Sequence, residues 1–389
     1  MKASRSIAIA ALAFLAACTS TPAPFPSPTP SQSPTRPSPT ATPTTPAAIG
    51  ANQIVYTISD RETPDRSRWG DIYLYEVATD RVTRLTFDGE RVSETVPRFR
   101  GELITFIADR RDLVQLDPET HARRRLLQAA AHLVTYAWSP DRNEVVYLET
   151  LSSGAHRLRV FNAKTRATAT LKNLGTPDGR GTTDFDAVTI DWNRAGDRIL
   201  LSDSYLDGGR TIRLIRRPDG ADIITPIRQA TNAIWSADET SIFLLDLAPA
   251  VNDGDPVWRR LDVATQTMRR LGLRAGSFHA LLSPDGTRLA ATTYDRDTQA
   301  QAVWVLDLRT GKQTRVVRGY RDALWLDNDR LALTRVIPCT AGTTCEYYGY
   351  RATGTRRVAL DGSVSRLRLG STMWDGLGKP GDVSYVTAA

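Results

Sequence analysis

Apolar and polar residues alternate in short runs along most of the chain, and one particular run keeps returning. Residues 136–149, YAWSPDRNEVVYLE, place a tryptophan before a tight polar turn and a β-branched stretch. Variants stand at 190–201 (IDWNRAGDRILL), 233–245 (AIWSADETSIFLL), 280–290 (ALLSPDGTRLA) and 323–333 (ALWLDNDRLAL), with a degenerate copy at 97–107 (PRFRGELITFI). Their anchors are Phe99, Trp138, Trp192, Trp235, Leu282 and Trp325, so successive copies are 39, 54, 43, 47 and 43 residues apart. Two-residue alternation rich in β-branched and aromatic side chains predicts strands, and Gly, Asp, Asn and Pro between them predict tight turns. A period of about 40–50 residues with four short strands per unit is the signature of a propeller.

A second pattern supports this independently. An alternating strand, a small polar turn and a short basic strand recur at 72–85, 113–126, 158–171, 212–227, 258–271, 303–316 and 356–367. Each unit therefore reads as strand a, the Ser-Pro-Asp-type turn, strand b, a connection of variable length, strand c, a tight turn and strand d. The expected fold is an all-β, seven-bladed propeller of four-stranded blades, with six or eight blades as alternatives. Trp138, Trp192, Trp235 and Trp325 are expected between adjacent blades, where each buries a large apolar area. The first unit starts at its strand b, residues 53–58, without an anchor strand. Trp374 lies 49 residues after Trp325, so residues 371–375 are expected to complete that first blade.

The Trp-Ser-Pro-Asp turn followed by an apolar strand resembles the repeat of TolB-type propellers, which also occurs in dipeptidyl-peptidase propeller domains. The likeness covers residues 51–376 and implies fold more than function, because propellers host many activities. The folded N-terminal α/β domain of TolB has no counterpart here, so its partner-binding role is not carried over.

The first fifty residues follow another logic. Lys2 and Arg5 precede an apolar stretch, Ile7 to Ala17, too short to span a bilayer. The segment Leu15-Ala16-Ala17-Cys18 resembles the bacterial lipobox, which implies cleavage before Cys18, acylation of its thiol and an anchor on the extracytoplasmic side, facing periplasm or cell surface. Residues 1–17 are thus read as a lipoprotein signal peptide. Residues 18–50, rich in Pro, Ser and Thr, are read as a disordered, extended tether, and 51–389 as the propeller. Export makes a disulfide between Cys339 and Cys345 the expected state of the CTAGTTC loop.

The net charge of +7 includes Lys2 and Arg5, and no arginine run alternates with aromatics, so nucleic acid is not an expected partner. The chain has no Gly-x-Ser-x-Gly elbow, no His-Glu-x-x-His and no phosphate loop. The formal dinucleotide fingerprint at 376–381 lacks a following helix and is read as a turn. Asp141, Asp238 and Asp285, in the a–b turns, are expected to accept hydrogen bonds from nearby backbone N–H groups. The acidic loop Asn252-Asp253-Gly254-Asp255 has oxygen ligands suited to calcium but not the EF-hand spacing, so no cofactor is expected, with calcium as the alternative.

Length variation is concentrated in the b–c and d–a connections, which open on one face of a propeller, and variable loops on a rigid scaffold are where recognition resides. Arg61, Arg66, Arg110, Arg111, Asp203, Asp207, Arg210, Asp253, Asp255, Asp295 and Asp297 are therefore the candidate binding face. The expected function is that of a monomeric, membrane-anchored propeller recognising a protein, peptide or glycan of the cell envelope. No catalytic residue and no enzyme activity are expected; a lyase or hydrolase acting at the central funnel is the alternative.

Overall fold

The protein is described by a computed structural model, in which residues 53–62, 68–76, 78–79, 81–87, 94–175, 189–204, 210–248, 255–274, 276–295, 300–338, 350–366 and 386–387 are placed. Blade 1 contains β1 (Gln53–Glu62), β2 (Arg68–Glu76) and β3 (Arg81–Arg84). Blade 2 contains β4 (Glu94–Arg100), β5 (Leu103–Ala108), β6 (Asp112–Leu116) and β7 (Arg123–Gln128). Blade 3 contains β8 (His132–Trp138), β9 (Glu144–Thr150), β10 (His156–Asn162) and β11 (Thr168–Gly175). Blade 4 contains β12 (Thr189–Trp192), β13 (Arg198–Ser204), β14 (Arg210–Arg216) and β15 (Ile227–Arg228). Blade 5 contains β16 (Ala230–Trp235), β17 (Ser241–Asp246), β18 (Val257–Asp262) and β19 (Met268–Arg270). Blade 6 contains β20 (Ser277–Leu282), β21 (Arg288–Asp295), β22 (Ala300–Asp307) and β23 (Gln313–Arg318). Blade 7 contains β24 (Tyr320–Trp325), β25 (Arg330–Pro338), β26 (Tyr350–Ala359) and β27 (Val364–Arg366). Every sheet is antiparallel and four-stranded, the fourth strand of blade 1 being β28 (Val386–Thr387).

The seven-bladed reading holds, and the closing strand requires a correction. Val386 pairs with Val55 and Thr387 with Ile54, so the tail of the chain fills position a of blade 1. Residues 371–375, expected in that place, lie outside the described residues. The repeat spacing after Trp325 pointed to Trp374, but the ladder partner of an edge strand is set by backbone pairing and needs no anchor residue.

Seven apolar clusters hold the ring, one at each blade junction. The junction of blades 7 and 1 is a core of Leu324, Leu326 and Ala332 against Ile54, Tyr56 and Tyr75, so packing closes the ring as well as β28 does. Trp192, Trp235 and Trp325 are buried at the junctions of blades 3 and 4, 4 and 5, and 6 and 7, as expected. Trp138 is half-buried against the cluster of blades 2 and 3, with the Arg100 guanidinium 4.0 Å over its ring. The indole N–H of Trp192 donates to Ala137 O at 3.1 Å and that of Trp325 to Leu281 O at 3.0 Å, each the residue before the preceding blade's anchor. Trp235 Nε1, equally buried, has no such partner.

The a–b turns show why serine and aspartate recur. Ser139 Oγ donates to Asp141 Oδ1 at 2.6 Å and accepts from Glu144 N, while Asn143 N donates to Asp141. Ser236–Asp238 and Ser283–Asp285 repeat the arrangement, again at 2.6 Å. The expected backbone-capping role of these aspartates is thus met. The serine hydroxyl, with the turn's N–H groups, holds Asp141 and Asp238 below the usual carboxylate range. In the c–d turns, Asp117, Asn162, Asp262 and Asp307 accept from N–H groups two or three residues on, and the fourth residue on adopts a left-handed conformation: His121, Arg166, Gln266 and Gly311. These turns rest on strand d of the previous blade. Arg166 donates to Leu126 O at 2.9 Å, and at Gly220 a Cβ would lie 2.1 Å from Leu171 O.

Candidate functional site

The two classes of connection separate onto opposite rims, as backbone hydrogen bonds show. The b–c turn of blade 2 meets the following d–a connection through Leu133 N to Arg110 O (2.6 Å) and Ala129 N to Arg111 O (2.7 Å). Leu247 N to Gln229 O, Tyr294 N to Gly276 O and Val336 N to Gly319 O join the ends of strands b to d–a connections in blades 5, 6 and 7. On the other rim, Ala163 N to Asn143 O, Arg217 N to Asp197 O, Val263 N to Thr240 O and Leu308 N to Thr287 O join c–d turns to a–b turns.

Several of the residues singled out from sequence fall at b–c ends. Arg110 and Arg111 are exposed in the turn between β5 and β6, with Arg111 donating to Ala130 O at 2.9 Å. Asp255 is half-buried just before β18. Arg61 stands in β1 opposite Trp69, Asp203 in β13 opposite Thr211, Arg210 opens β14 opposite Ser204, and Asp295 ends β21 opposite Ala300. Arg66, Asp207, Asp253, Asp297, Cys339, Cys345 and Cys18 lie outside the described residues. Among the described residues no group of three or more His, Cys, Asp or Glu is placed to hold a metal ion, and no helix is long and apolar enough to cross a membrane.

Buried ionic contacts that the sequence did not signal brace this rim. Fully buried Glu149, near the end of β9, accepts from Arg157 at 2.5 Å and Arg159 at 3.4 Å on the neighbouring β10. Asp246, at the end of β17, pairs with Arg259 at 2.5 Å. Between blades 1 and 2, the Thr86 hydroxyl lies 3.3 Å from Asp71 and also contacts Glu94, with Arg84 and Arg123 pairing with the two carboxylates. His156, buried at the start of β10, has its Nδ1 3.2 Å from Thr150 Oγ1, and burial pushes its pKa down to about 4. A neutral imidazole at physiological pH follows.

A second locus centres on Asp191 of β12. The residues before the anchors are Arg98, Ala137, Asp191, Ile234, Leu281 and Leu324, of which Ala137, Ile234 and Leu324 pack into blade-junction cores. Asp191 reaches the surface, with protein packed closely around it. Burial pushes its pKa up to about 6, opposed by the Arg98 guanidinium and by the Trp192 N–H at 2.9 Å; Glu239 adds to the rise. Arg98 belongs to blade 2 and Asp191 to blade 4, so their interaction reaches past blade 3. Arg98 Nε is buried without a hydrogen bond, and its guanidinium lies 5.7 Å from the Tyr136 ring centroid. The readable signal was a charge at an otherwise largely apolar repeat position, which turn-centred reading passed over.

No family model and no curated protein matches the chain. Solved structures share its fold at low identity. An oligogalacturonate lyase in complex with manganese aligns at TM-score 0.56 and 15% identity over 75% of this chain and 82% of the lyase. A puromycin-hydrolyzing peptidase of Mycobacterium tuberculosis aligns at 0.59 and 15% over 82% of this chain; the chain spans 52% of that peptidase. TolB from Acinetobacter baumannii aligns at 0.42 and 13%, over 80% of this chain and 78% of TolB. These likenesses bear on the fold alone. They correct the expectation of a chain that is not an enzyme: structures sharing the fold at TM-score above 0.5 include a lyase and a peptidase, so the missing hydrolase and metalloprotease motifs gave no ground for excluding catalysis. The chain is a seven-bladed β-propeller, and its fold resembles those of the lyase and the peptidase.

Proposed function

We propose that this chain is a lipid-anchored, extracytoplasmic propeller that captures a protein, peptide or glycan of the cell envelope on the rim where the b–c and d–a connections open. The observation that carries the reading is the bracing of that rim: exposed Arg110 and Arg111 extend from a turn tied by hydrogen bonds to the next blade, and buried pairs such as Glu149 with Arg157 fix the strand ends beneath neighbouring turns. Rigid placement of charged groups lowers the ordering cost of binding and lets charge complementarity select the partner. The lipobox-like segment ending at Cys18 and the proline-rich stretch after it support the anchored placement.

The anchor is tested with Cys18→Ser. The wild type is expected to partition into the detergent phase and the variant's mature domain to be released or its precursor to accumulate. Equal detergent partitioning of a correctly processed variant would contradict the anchor.

A second reading rests on Asp191. A carboxyl group with a pKa near 6, within electrostatic reach of Arg98, can exchange a proton near neutral pH. It identifies the group that would serve a reaction there as acid or base. Asp191→Asn abolishing turnover of an envelope substrate, with binding kept, would establish it.

A further inference from the structure

The outermost strand of each blade is an open sheet edge, and the seven edges read RVTR, RRRLLQ, TATLKNLG, IR, MRR, QTRVVR and VSR. Each carries Lys or Arg, and none carries Asp or Glu. Charged edges discourage pairing with other chains, but either sign would serve that purpose. On three edges the basic residues have acidic partners nearby, Arg84 with Asp71, Arg123 with Glu94, Arg125 with Asp112 and Lys172 with Asp222, whereas Arg269, Arg270 and Arg318 have none among the described residues.

The basic character is strong where blades 5 and 6 meet. Arg269 and Arg270 of β19 and Arg318 of β23 are exposed and make no ion pair among the described residues. Next to them, the guanidinium groups of Arg274 and Arg315 lie 5.6 and 5.7 Å from the ring centroid of half-buried Trp304. β19 lies beside the start of β23, since a Cβ on Gly272 would stand 3.7 Å from Gly311 O, and Arg318 stands at the far end of β23. Nearby acids are turned to their own backbone: Asp307 accepts from Arg309 N, Thr310 N and the Thr310 hydroxyl, and Asp262 from Thr265. What faces outward is guanidinium, which matches phosphate oxygens well.

We propose that this edge docks on the anionic phospholipid headgroups of the membrane to which the chain is tethered, so that the propeller rests on the bilayer surface. The proposal rests on the anchored reading only for proximity: an anchor raises the local headgroup concentration and turns weak contacts into an effective second attachment.

The test uses the full-length protein and sedimentation with vesicles of phosphatidylcholine alone or with added phosphatidylglycerol, comparing wild type with the triple variant Arg269→Gln/Arg270→Gln/Arg318→Gln. These side chains are exposed and make no ion pair among the described residues, and thermal unfolding checks that the variant keeps its fold. Wild type is expected to prefer the anionic vesicles, and to lose that preference in high salt. An arginine near an anionic surface contributes about fivefold in partitioning, so the variant should lose on the order of 100-fold. Binding to neutral vesicles reports the anchor separately, and its absence would sink the tether while leaving the headgroup comparison intact. The docking proposal is overturned if the variant keeps the wild-type preference, if wild type has none, or if wild type captures soluble polyphosphate and ignores anionic vesicles.

Discussion

The tryptophan anchors do unequal work despite their shared place in the repeat. Trp192 combines burial with a hydrogen bond to Ala137 O, whereas Trp235 is buried with its indole N–H unpaired. Trp235→Ala should destabilise the protein by about 3–5 kcal/mol through the cavity it leaves. Replacement by phenylalanine separates the two contributions: Trp192→Phe should cost about 1 kcal/mol more than Trp235→Phe, because only the former strands a carbonyl. Chemical denaturation measures both, and equal costs would show that the 3.1 Å bond contributes nothing. Asp191 gives a test in pH. Its folded pKa, near 6, lies above the ordinary carboxylate value, so the folded state holds the proton more tightly and stability is lost as pH rises through 6. Asp191→Asn should therefore raise the melting temperature at pH 7.5 and leave it nearly unchanged at pH 4. A variant that is no more stable than wild type at pH 7.5 would show that this carboxyl ionises normally. Neither trait of these residues could be read from local sequence, because the partners that define them, Arg98, Ala137 and Glu239, belong to other blades.

At the scale of the element, the tight turns were legible and their contacts were not. Ser-Pro-Asp and Asp-x-x-Thr announce turns through their own side-chain chemistry, and the hydrogen bonds of Asp141 and Asp307 bear that out. Which turn residue touches the next blade depends on blade stacking, which sequence periodicity does not encode. Gly220 and Gly311 make the difference measurable. Both have φ near +70°, but a Cβ at Gly220 would strike Leu171 O at 2.1 Å, while the space around Gly311 is open. Gly311→Ala should cost about 1 kcal/mol, the conformational penalty alone. Gly220→Ala should cost at least about 2 kcal/mol, since backbone must also move, and thermal unfolding of the pair should rank them in that order. The reverse ranking would place the c–d turn of blade 4 away from strand β11.

At the scale of the molecule, the repeat made the blade number legible because each copy carries its own strand and turn signals. Ring closure was legible in principle but not in detail: the tail of the chain pairs with β1 through Val386 and Thr387, two residues without an anchor motif. The grouping of b–c and d–a connections on one side was legible from their lengths, and hydrogen bonds within that rim hold them together. Asp191 was missed because it stands in a strand and not in a variable loop. The most direct measurement of the central claim compares capture of envelope partners by two charge-reversed sets, each checked by thermal unfolding. One set reverses Arg110, Arg111 and Asp255 on the b–c rim; the other reverses Asp141, Asp238 and Asp285 in the a–b turns. The account predicts that the first set loses captured partner with melting nearly unchanged, and that the second loses stability through its broken turns while its folded fraction still captures partner. Equal recovery of partner by both sets at equal folded protein would contradict the assignment of the b–c rim as the binding surface.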